Sequence, residues 1–490
     1  MARLDQSRGE GVYNVVVIGG GTAGLVTAAG TAGLGGRVAL VEGNKMGGDC
    51  LNFGCVPSKA LISSARLIER MRRAEEWGLR RVEPSFDFAE VFARMRARRA
   101  RIAPNDSQER FESLGVDVFR GHARFISDRE VAVGDMVLRG RNFVIATGSR
   151  TAIPNIEGMD SVPYFTNETI FDELTTRPES MIVLGGGPIG CELGQTFNRL
   201  GVRVTLVQRP ARLLPREDPD VSEFIARRLA GEGIEVLTQA EAVSVQQTAG
   251  GIELTIRRGG AGEGKVRGSA LLICSDRTPT VRTLELERAG VKAGARGIEV
   301  NEYLQTSRPH IYAAGDVAGP FLFTHMADAQ ARVVVRNILM PLQILRQKID
   351  YRVVPWCTYV DPEVATVGLT ETRARQENIA CDVFVQKLEE VDRAVVEEEG
   401  AGFAKVVVAR GTDKILGVTL VCENGGELLH EFVLAMKYNI GLGKIAATTH
   451  AYPTLSEVAR KIGDKYNKTR LTPGARKLFG WLYRRALPQK

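Results

Sequence analysis

A chain of 490 residues with net charge +7 is longer than one hydrophobic core organises, so about two to four domains are expected. Hydrophobic and charged fractions of 44% and 25% exclude disordered, collagen-like and disulfide-scaffold classes, and seven cysteines, an odd number, argue against a structural disulfide framework. No run reaches the roughly 18 apolar residues of a membrane span and the first residues lack a signal-peptide pattern, so a soluble cytoplasmic protein is expected.

The first recognisable element is "YNVVVIGGGTAGLVTAA", an apolar strand, then Gly19, Gly21 and Gly24 in G-x-G-x-x-G spacing, then an Ala-rich helix. The glycine spacing alone is a weak signal. The next strand, "RVALVE", however, ends on Glu42, where a carboxylate can accept hydrogen bonds from an adenosine ribose. Strand, turn, helix, strand and acid in register point to a bound dinucleotide whose pyrophosphate rests on the helix N-terminus.

"GGDCLNFGCVPSKALI" follows, with Cys50 and Cys55 behind a Gly-Gly turn and ahead of Lys59. A zinc clip needs about four ligands in close pairs, and here one pair stands without a second pair or a local histidine. Two unrelated buried thiols remain an alternative, but a redox disulfide beside the nucleotide is favoured. On a regular helix these positions are separated by about 7.5 Å of rise, beyond the usual ~4.4–6.8 Å Cα separation of a disulfide. Cys50 is therefore expected in an irregular first turn, with Gly54 letting the chain tighten and "VPSKALISSA" continuing as helix.

The arginines of "RMRARRAR" (94–101) recur with apolar residues, which reads as a solvated helix face, and no nucleic-acid module is recognisable. "SMIVLGGGPIGCELGQTF" then repeats the dinucleotide pattern with Gly185, Gly187 and Gly190. At the same interval beyond the first glycine, this copy has Gln208 followed by Arg209 where the first has Glu42. Loss of the acid removes repulsion of a 2′-phosphate, and Arg209 or Arg212 can pair with one, so NADPH is expected over NADH.

These segments, with "VIATGSR" (144–150), "IYAAGDV" (311–317) and "HAYPTLSE" (450–457), resemble the class I FAD-dependent pyridine nucleotide-disulfide oxidoreductases, in order and over nearly the whole chain. That family includes dihydrolipoamide dehydrogenase, glutathione reductase and mercuric reductase. The resemblance implies an α/β fold with two Rossmann-like dinucleotide-binding domains, for FAD and NAD(P), plus an α+β C-terminal dimerisation domain. The expected division is FAD domain 1–152 and 281–346, NAD(P) domain 153–280, interface domain 347–468 and a basic amphipathic tail 469–490. It also implies a homodimer whose active sites span both subunits.

Carried over by position, the resemblance assigns Glu42 to the FAD adenosine ribose and Asp316 to the ribityl or pyrophosphate region. Thr147 and Gly148 join the cofactor contacts, and His325, Met326 and Ala327 of "THMA" lie along the flavin. Arg277 is grouped with the nucleotide contacts. Lys59 and Glu192 are expected to meet near flavin N5, Cys55 to face the flavin and Cys50 the substrate. Electrons would pass from NAD(P)H through FAD to the disulfide and on to an acceptor; no resident metal is implied.

Three departures qualify the resemblance. In the thiol-disulfide members a histidine stands five residues before the tail glutamate as acid/base; here that position is Tyr452, with Glu457 in place and a displaced His450 nearby. Because residues before proline favour extended conformation, His450 and Tyr452 are expected to point to one side, so that His450 reaches the site. "LLICSDRTPT" (271–280) replaces the family's second Ala-Thr-Gly, and Cys274 is read as core together with Cys191 and Cys357. Tyr452, "TYVDPEVATVGLTE" and "DRAVVEEEGAGFAKVV" are most similar to mercuric reductase-like members, yet no cysteine follows Cys422 to deliver Hg(II).

The expected function is reduction of a thiol-reactive acceptor, Hg(II) or another soft metal bound as thiolate complex first, a lipoyl or other small disulfide second. A membrane- or quinone-linked electron donor is the alternative of another class. The tail "KYNKTRLTPGARKLFGWLYRRALPQK" is basic, with Leu478, Phe479, Trp481, Leu482 and Tyr483 clustered. A helix docked on the interface domain is the commoner expectation, and peripheral contact with an anionic membrane face the other.

Overall fold

The computed structural model describes residues 11–259, 262–340 and 342–485, so the first ten and last five residues lie outside the described ones. The chain forms two compact units. The first comprises residues 1–68, 84–209 and 239–350, and the second 69–83, 210–238 and 351–490.

The first unit holds two dinucleotide folds. In the first, strand Val12–Ile18 is buried on both faces from Val15 onward, because it is an interior strand of a parallel sheet, which needs apolar residues without alternation; Val12 and Asn14 at its start are exposed. The parallel strands run Val116–Arg120, Val38–Glu42, Val12–Ile18 and Met136–Ile145. Met136–Ile145 is long enough to pair with the antiparallel strand Glu130–Val133 through its first half and with Ile311–Ala313 through its last three residues. Ile311–Ala313 thus brings the "AAGD" turn back to the sheet that carries the first glycine turn.

In the second fold, Ser180–Leu184 lies between Arg203–Val207 and Ala270–Ile273, all parallel. The chain crosses from the first fold into the second and returns through a two-stranded antiparallel ladder, Ser149–Thr151 against Arg277–Pro279.

The second unit is built on a five-stranded antiparallel sheet in the order Pro355–Thr358, Glu363–Gly368, Ile415–Cys422, Phe403–Ala409, Cys381–Lys387. Helices Gly425–Lys437 and Glu457–Thr469 cover it, with Val406, Leu420, Phe432 and Ile462 in the shared core. The arginine run lies in helix Phe88–Ile102, where Arg94, Arg98 and Arg101 are exposed as expected.

The tail helix Pro473–Arg485 buries none of its residues, and Leu478, Phe479, Trp481, Leu482 and Tyr483 are all exposed. The expectation that it docks on the interface domain is therefore not met among the described residues. No described helix is long and apolar enough to cross a membrane.

Candidate active site

Both glycine turns close as tightly as their spacing demands. A β-carbon on Gly24 would stand 1.7 Å from the Gly19 carbonyl oxygen, and one on Gly190 1.8 Å from that of Gly185. Helices Thr22–Gly33 and Pro188–Arg199 can thus rest on their strands only through glycine. Gly21 and Gly187 are the N-caps of these helices, and neither end carries a side-chain cap or a first-turn acid. The first-turn amides and the positive end of each helix dipole fit an anion. A β-carbon on Gly187 would meet nothing within 4 Å, while Gly21 is packed against Gly48 of the cysteine segment.

The two strand-end residues take up the same pose with different charge. Glu42 is buried and its carboxylate accepts from the amides of Gly20 and Asn44, which leaves lone pairs for ribose hydroxyls. Gln208 Oε1 accepts from the Gly186 amide at 2.8 Å, so a neutral group holds the second turn; the next residue, Arg209, is exposed. The residues present therefore fit FAD in the first fold and a pyridine nucleotide in the second.

The cysteine segment is not one helix with an irregular start. Residues Gly48–Asn52 form a single turn, the chain breaks at Phe53 and Gly54, and a second helix, Cys55–Arg72, begins on the second cysteine. The break satisfies the separation that a continuous helix forbids. Cys50 and Cys55 stand side by side as hydrogen-bonded thiols, and Cys55 Sγ lies 3.3 Å from Thr324 Oγ1. The hydrogen bond from Cys50, helped by Thr324 and the charge of Lys59 and opposed by burial, lowers the Cys55 pKa to about 6. The same hydrogen bond, with burial, pushes Cys50 far up. The surroundings thus favour thiolate at Cys55 over Cys50.

Lys59 follows Cys55 by one helical turn, and its Nζ pairs at 2.8 Å with Oε2 of buried Glu192, as expected. Thr324, expected only as part of a segment along the flavin, is a sulfur partner as well. It opens helix Thr324–Leu339 with His325, Met326 and Ala327; the last two are buried, and His325 is exposed with its ring stacked on Phe323 at 5.2 Å.

Asp316 accepts from Ser149 Oγ at 2.6 Å, and burial pushes its pKa up. Thr147 Oγ1 donates to the Thr280 carbonyl at 2.6 Å, and the Gly148 carbonyl accepts from the Thr280 amide at 3.0 Å. Both residues therefore brace the crossing between the folds. Arg277 stands at the same crossing. Its guanidinium donates to Ser149 Oγ at 2.7 Å and to the Ser149 carbonyl at 2.8 Å, and it lies 3.3 Å from Asp49 and 3.7 Å from Asp316. These partners set it between the cysteine turn and Asp316. Asp49, Ser149 and Asn167 were not singled out individually; the available signals were that Asp49 directly precedes Cys50 and that Ser149 lies within "VIATGSR".

In the second unit, His450 and Tyr452 do not share a side. The chain bends at Tyr452 and Pro453 instead of running extended. With its side chain 5% exposed, His450 places Nδ1 2.9 Å from the Thr448 carbonyl and Nε2 3.1 Å from Glu431, so both nitrogens are engaged within the unit. Tyr452 is 70% exposed and donates to Asp392 Oδ2 at 3.0 Å; this bond raises its pKa. Glu457 is buried and accepts from Arg460 at 2.7 Å, while its Oε2 has no hydrogen-bond partner among the described residues.

Cys191 and Cys274 are core, as expected; burial pushes both thiols up, Cys274 to about 12. Cys357 is only half-buried, its Sγ 3.8 Å from Glu363.

Two dinucleotide turns, a thiol pair with thiolate favoured at one sulfur, and a lysine–glutamate pair beside it define an FAD-dependent pyridine nucleotide-disulfide oxidoreductase. The chain belongs to the pyridine nucleotide-disulphide oxidoreductase family, matched over residues 13–332, and carries that family's dimerisation domain over 354–462. It is 34% identical to the mercuric reductase of Staphylococcus aureus over 91% of this chain and 81% of that protein. It is 33% identical to the dihydrolipoyl dehydrogenase of Thermus scotoductus over 93% and 98%. Among solved structures it is similar to the HOCl-induced flavoprotein disulfide reductase RclA of Escherichia coli, with TM-score 0.83, 26% identity and coverage of 92% of this chain and 99% of that one. LpdA of Mycobacterium tuberculosis gives TM-score 0.84, 26% identity and coverage of 93% and 100%. The family binds FAD and uses NAD(P)H.

Proposed function

We propose that this enzyme carries electrons from NADPH to a thiophilic acceptor at Cys50 and Cys55, and that the acceptor is a soft metal ion such as Hg(II) presented as a thiolate complex. The observation that carries this reading is a pair of free thiols, Cys50 and Cys55, with Thr324 and Lys59 favouring thiolate at Cys55, combined with Tyr452 where a disulfide reductase keeps its base.

A small disulfide, once attacked, must have its departing thiolate protonated, and the group that does this needs a pKa near the working pH. Tyr452, its proton held by Asp392, is poorly suited, and His450 is engaged elsewhere. Exchange of a soft metal between thiolates needs no such acid, only deprotonated sulfur. When bound, FAD supplies the two-electron relay between nicotinamide and sulfur. Lys59 and Glu192 set the charge beside Cys55, and the amides of Gly20 and Gly186, fixed by Glu42 and Gln208, shape the two pyrophosphate turns. In balance, NADPH and a bis-thiolate complex of Hg(II) yield NADP⁺, a proton, Hg(0) and two thiolates, the two Hg–S bonds breaking as the metal takes up two electrons.

Anaerobic NADPH oxidation by the holoenzyme, with Hg(II) as its thiol complex against a metal-free blank, tests the reading. Metal-dependent turnover faster than turnover with lipoamide is expected. Turnover with lipoamide alone would transfer the enzyme to the small-disulfide reductases.

The preference for NADPH rests on neutral Gln208 and exposed Arg209. Arg209→Ala is expected to lower kcat/KM for NADPH about tenfold, the loss of one charge-assisted phosphate contact, and to leave that for NADH unchanged. Equal losses with both nucleotides would remove Arg209 from discrimination. The dimerisation domain supports a homodimer with shared sites. The basic tail helix, with five exposed apolar residues, suits an anionic lipid surface; co-sedimentation with phosphatidylglycerol but not phosphatidylcholine vesicles is expected, and Trp481→Glu should abolish it.

A further inference from the structure

Asp49, the residue before Cys50, is gripped from two sides. Its Oδ1 accepts from Asn167 Nδ2 at 2.9 Å and lies 3.3 Å from the Arg277 guanidinium. The same Asn167 nitrogen donates at 3.1 Å to the carbonyl of Phe53. One buried amide thus bridges both ends of the segment 49–53, the stretch that decides how far Cys50 stands from Cys55.

The orientation of that amide is itself fixed, since Asn167 Oδ1 accepts from Thr151 Oγ1 at 2.6 Å. Arg277 is anchored on Ser149, the strand partner of Pro279, while Thr151 pairs with Arg277 itself. Both arms therefore root in the two-stranded ladder by which the chain crosses between its dinucleotide folds. Asp49 Oδ2 lies over the break, where a β-carbon on Gly54 would stand 3.2 Å from it.

We propose that Asn167 and Arg277, acting on Asp49, form a clamp that sets the reduction potential of the Cys50–Cys55 pair, and that all three are positioning residues. The proposal rests on Cys50 and Cys55 being the redox pair.

Two physical effects act in one direction. A turn held with its sulfurs together loses little freedom on closing, so a high effective concentration favours the disulfide. A carboxylate beside the sulfurs disfavours thiolate and so the reduced form; Asp49 acts in this sense on both cysteines. The clamp makes the dithiol a stronger reductant, which is what transfer to an acceptor requires.

The test is equilibration of the holoenzyme with glutathione buffers of graded ratio, anaerobically, followed by alkylation and mass spectrometry of the peptide containing both cysteines. In this exchange the two thiols give two electrons and two protons to glutathione disulfide, forming one S–S bond in the protein and two molecules of glutathione. Asp49→Ala is expected to shift the equilibrium constant toward the dithiol about tenfold, about 30 mV for a two-electron couple. Asn167→Ala should shift it in the same direction, and Asp49→Asn, which keeps an oxygen for Asn167 but loses the charge, by a smaller factor.

Asp49 is partly exposed, so its variants decide the matter even if Asn167→Ala fails to retain flavin. Asp49→Ala and Asp49→Asn both within twofold of wild type, or shifted toward the disulfide, with flavin content unchanged, would overturn the clamp. Wild-type enzyme whose two cysteines stay free at every glutathione ratio would instead overturn the redox-pair reading, and the clamp with it.

Discussion

Cys50→Ser is expected to lower kcat/KM for the acceptor about a thousandfold or more while NADPH still bleaches the flavin absorbance. Losses of this size follow removal of a reacting nucleophile from a site that otherwise stays assembled. Serine preserves the shape of the single turn Gly48–Asn52 but can form neither an S–S bond nor a soft-metal thiolate. Cys50 also contributes the largest of the influences that lower the Cys55 pKa. The variant should therefore show a second change: the pH midpoint for alkylation of Cys55, expected below the ordinary thiol range in the parent, should move upward. A variant that turns over metal at the parental rate would show that Cys55 alone meets the acceptor.

Lys59→Met is the second large effect, and it separates charge from chemistry. An opposite charge close to an ionisable group lowers an acid's pKa by about one to three units, and Lys59 is one of several groups acting on Cys55. Its removal is expected to raise the Cys55 midpoint by about one unit. Thiolate forms as pH rises through the midpoint, so the alkylation rate at a pH just above the parental midpoint should fall while the rate at high pH stays the same.

The same substitution takes from buried Glu192 its partner at 2.8 Å. Breaking a buried pair costs several kcal/mol, but the lysine side chain is more than a third exposed, so about 1–2 kcal/mol of stability is expected. Glu192→Gln should cost less, and its thermal midpoint should lie between the other two. An unchanged alkylation profile in Lys59→Met would remove the lysine from control of the thiolate.

Much of this site is legible in the sequence because the chemistry is local. The glycine turns, their helices, the strand-end residues Glu42 and Gln208 and the thiol pair all lie within short stretches where sterics leave few solutions, as the near-collision at Gly24 shows. Lys59 meets Glu192 although 133 residues separate them, and this was legible only through resemblance. The clamp was not legible. Asp49, Asn167 and Arg277 come together because a strand ladder aligns the two crossings, and no spacing rule announces a ladder of three residues. The partner of His450 was not legible for a related reason: the preference of the residue before proline describes backbone shape, not the carboxylate of Glu431, on helix Gly425–Lys437, that meets the ring. The tail forms a helix, Pro473–Arg485, but nothing in its own residues says what it packs against.

The ladder Ser149–Thr151 with Arg277–Pro279 has a bearing on modularity. It sets the entrance and exit of the second dinucleotide fold next to one another, so that the fold is an excursion with adjoining ends, hung on the first like a cartridge in a holder. Such an insert can be exchanged for one of different nucleotide preference without stretching its host, because joining neighbouring ends costs little chain entropy. A swap that ends at residue 276 carries Asn167 away but leaves Arg277 with its host, so half the grip on Asp49 stays, whereas one that also replaces Arg277 would carry away both halves. The splice points, and whether the graft brings an asparagine to the place of Asn167, therefore decide how readily the sulfurs give up the electrons that the new donor supplies.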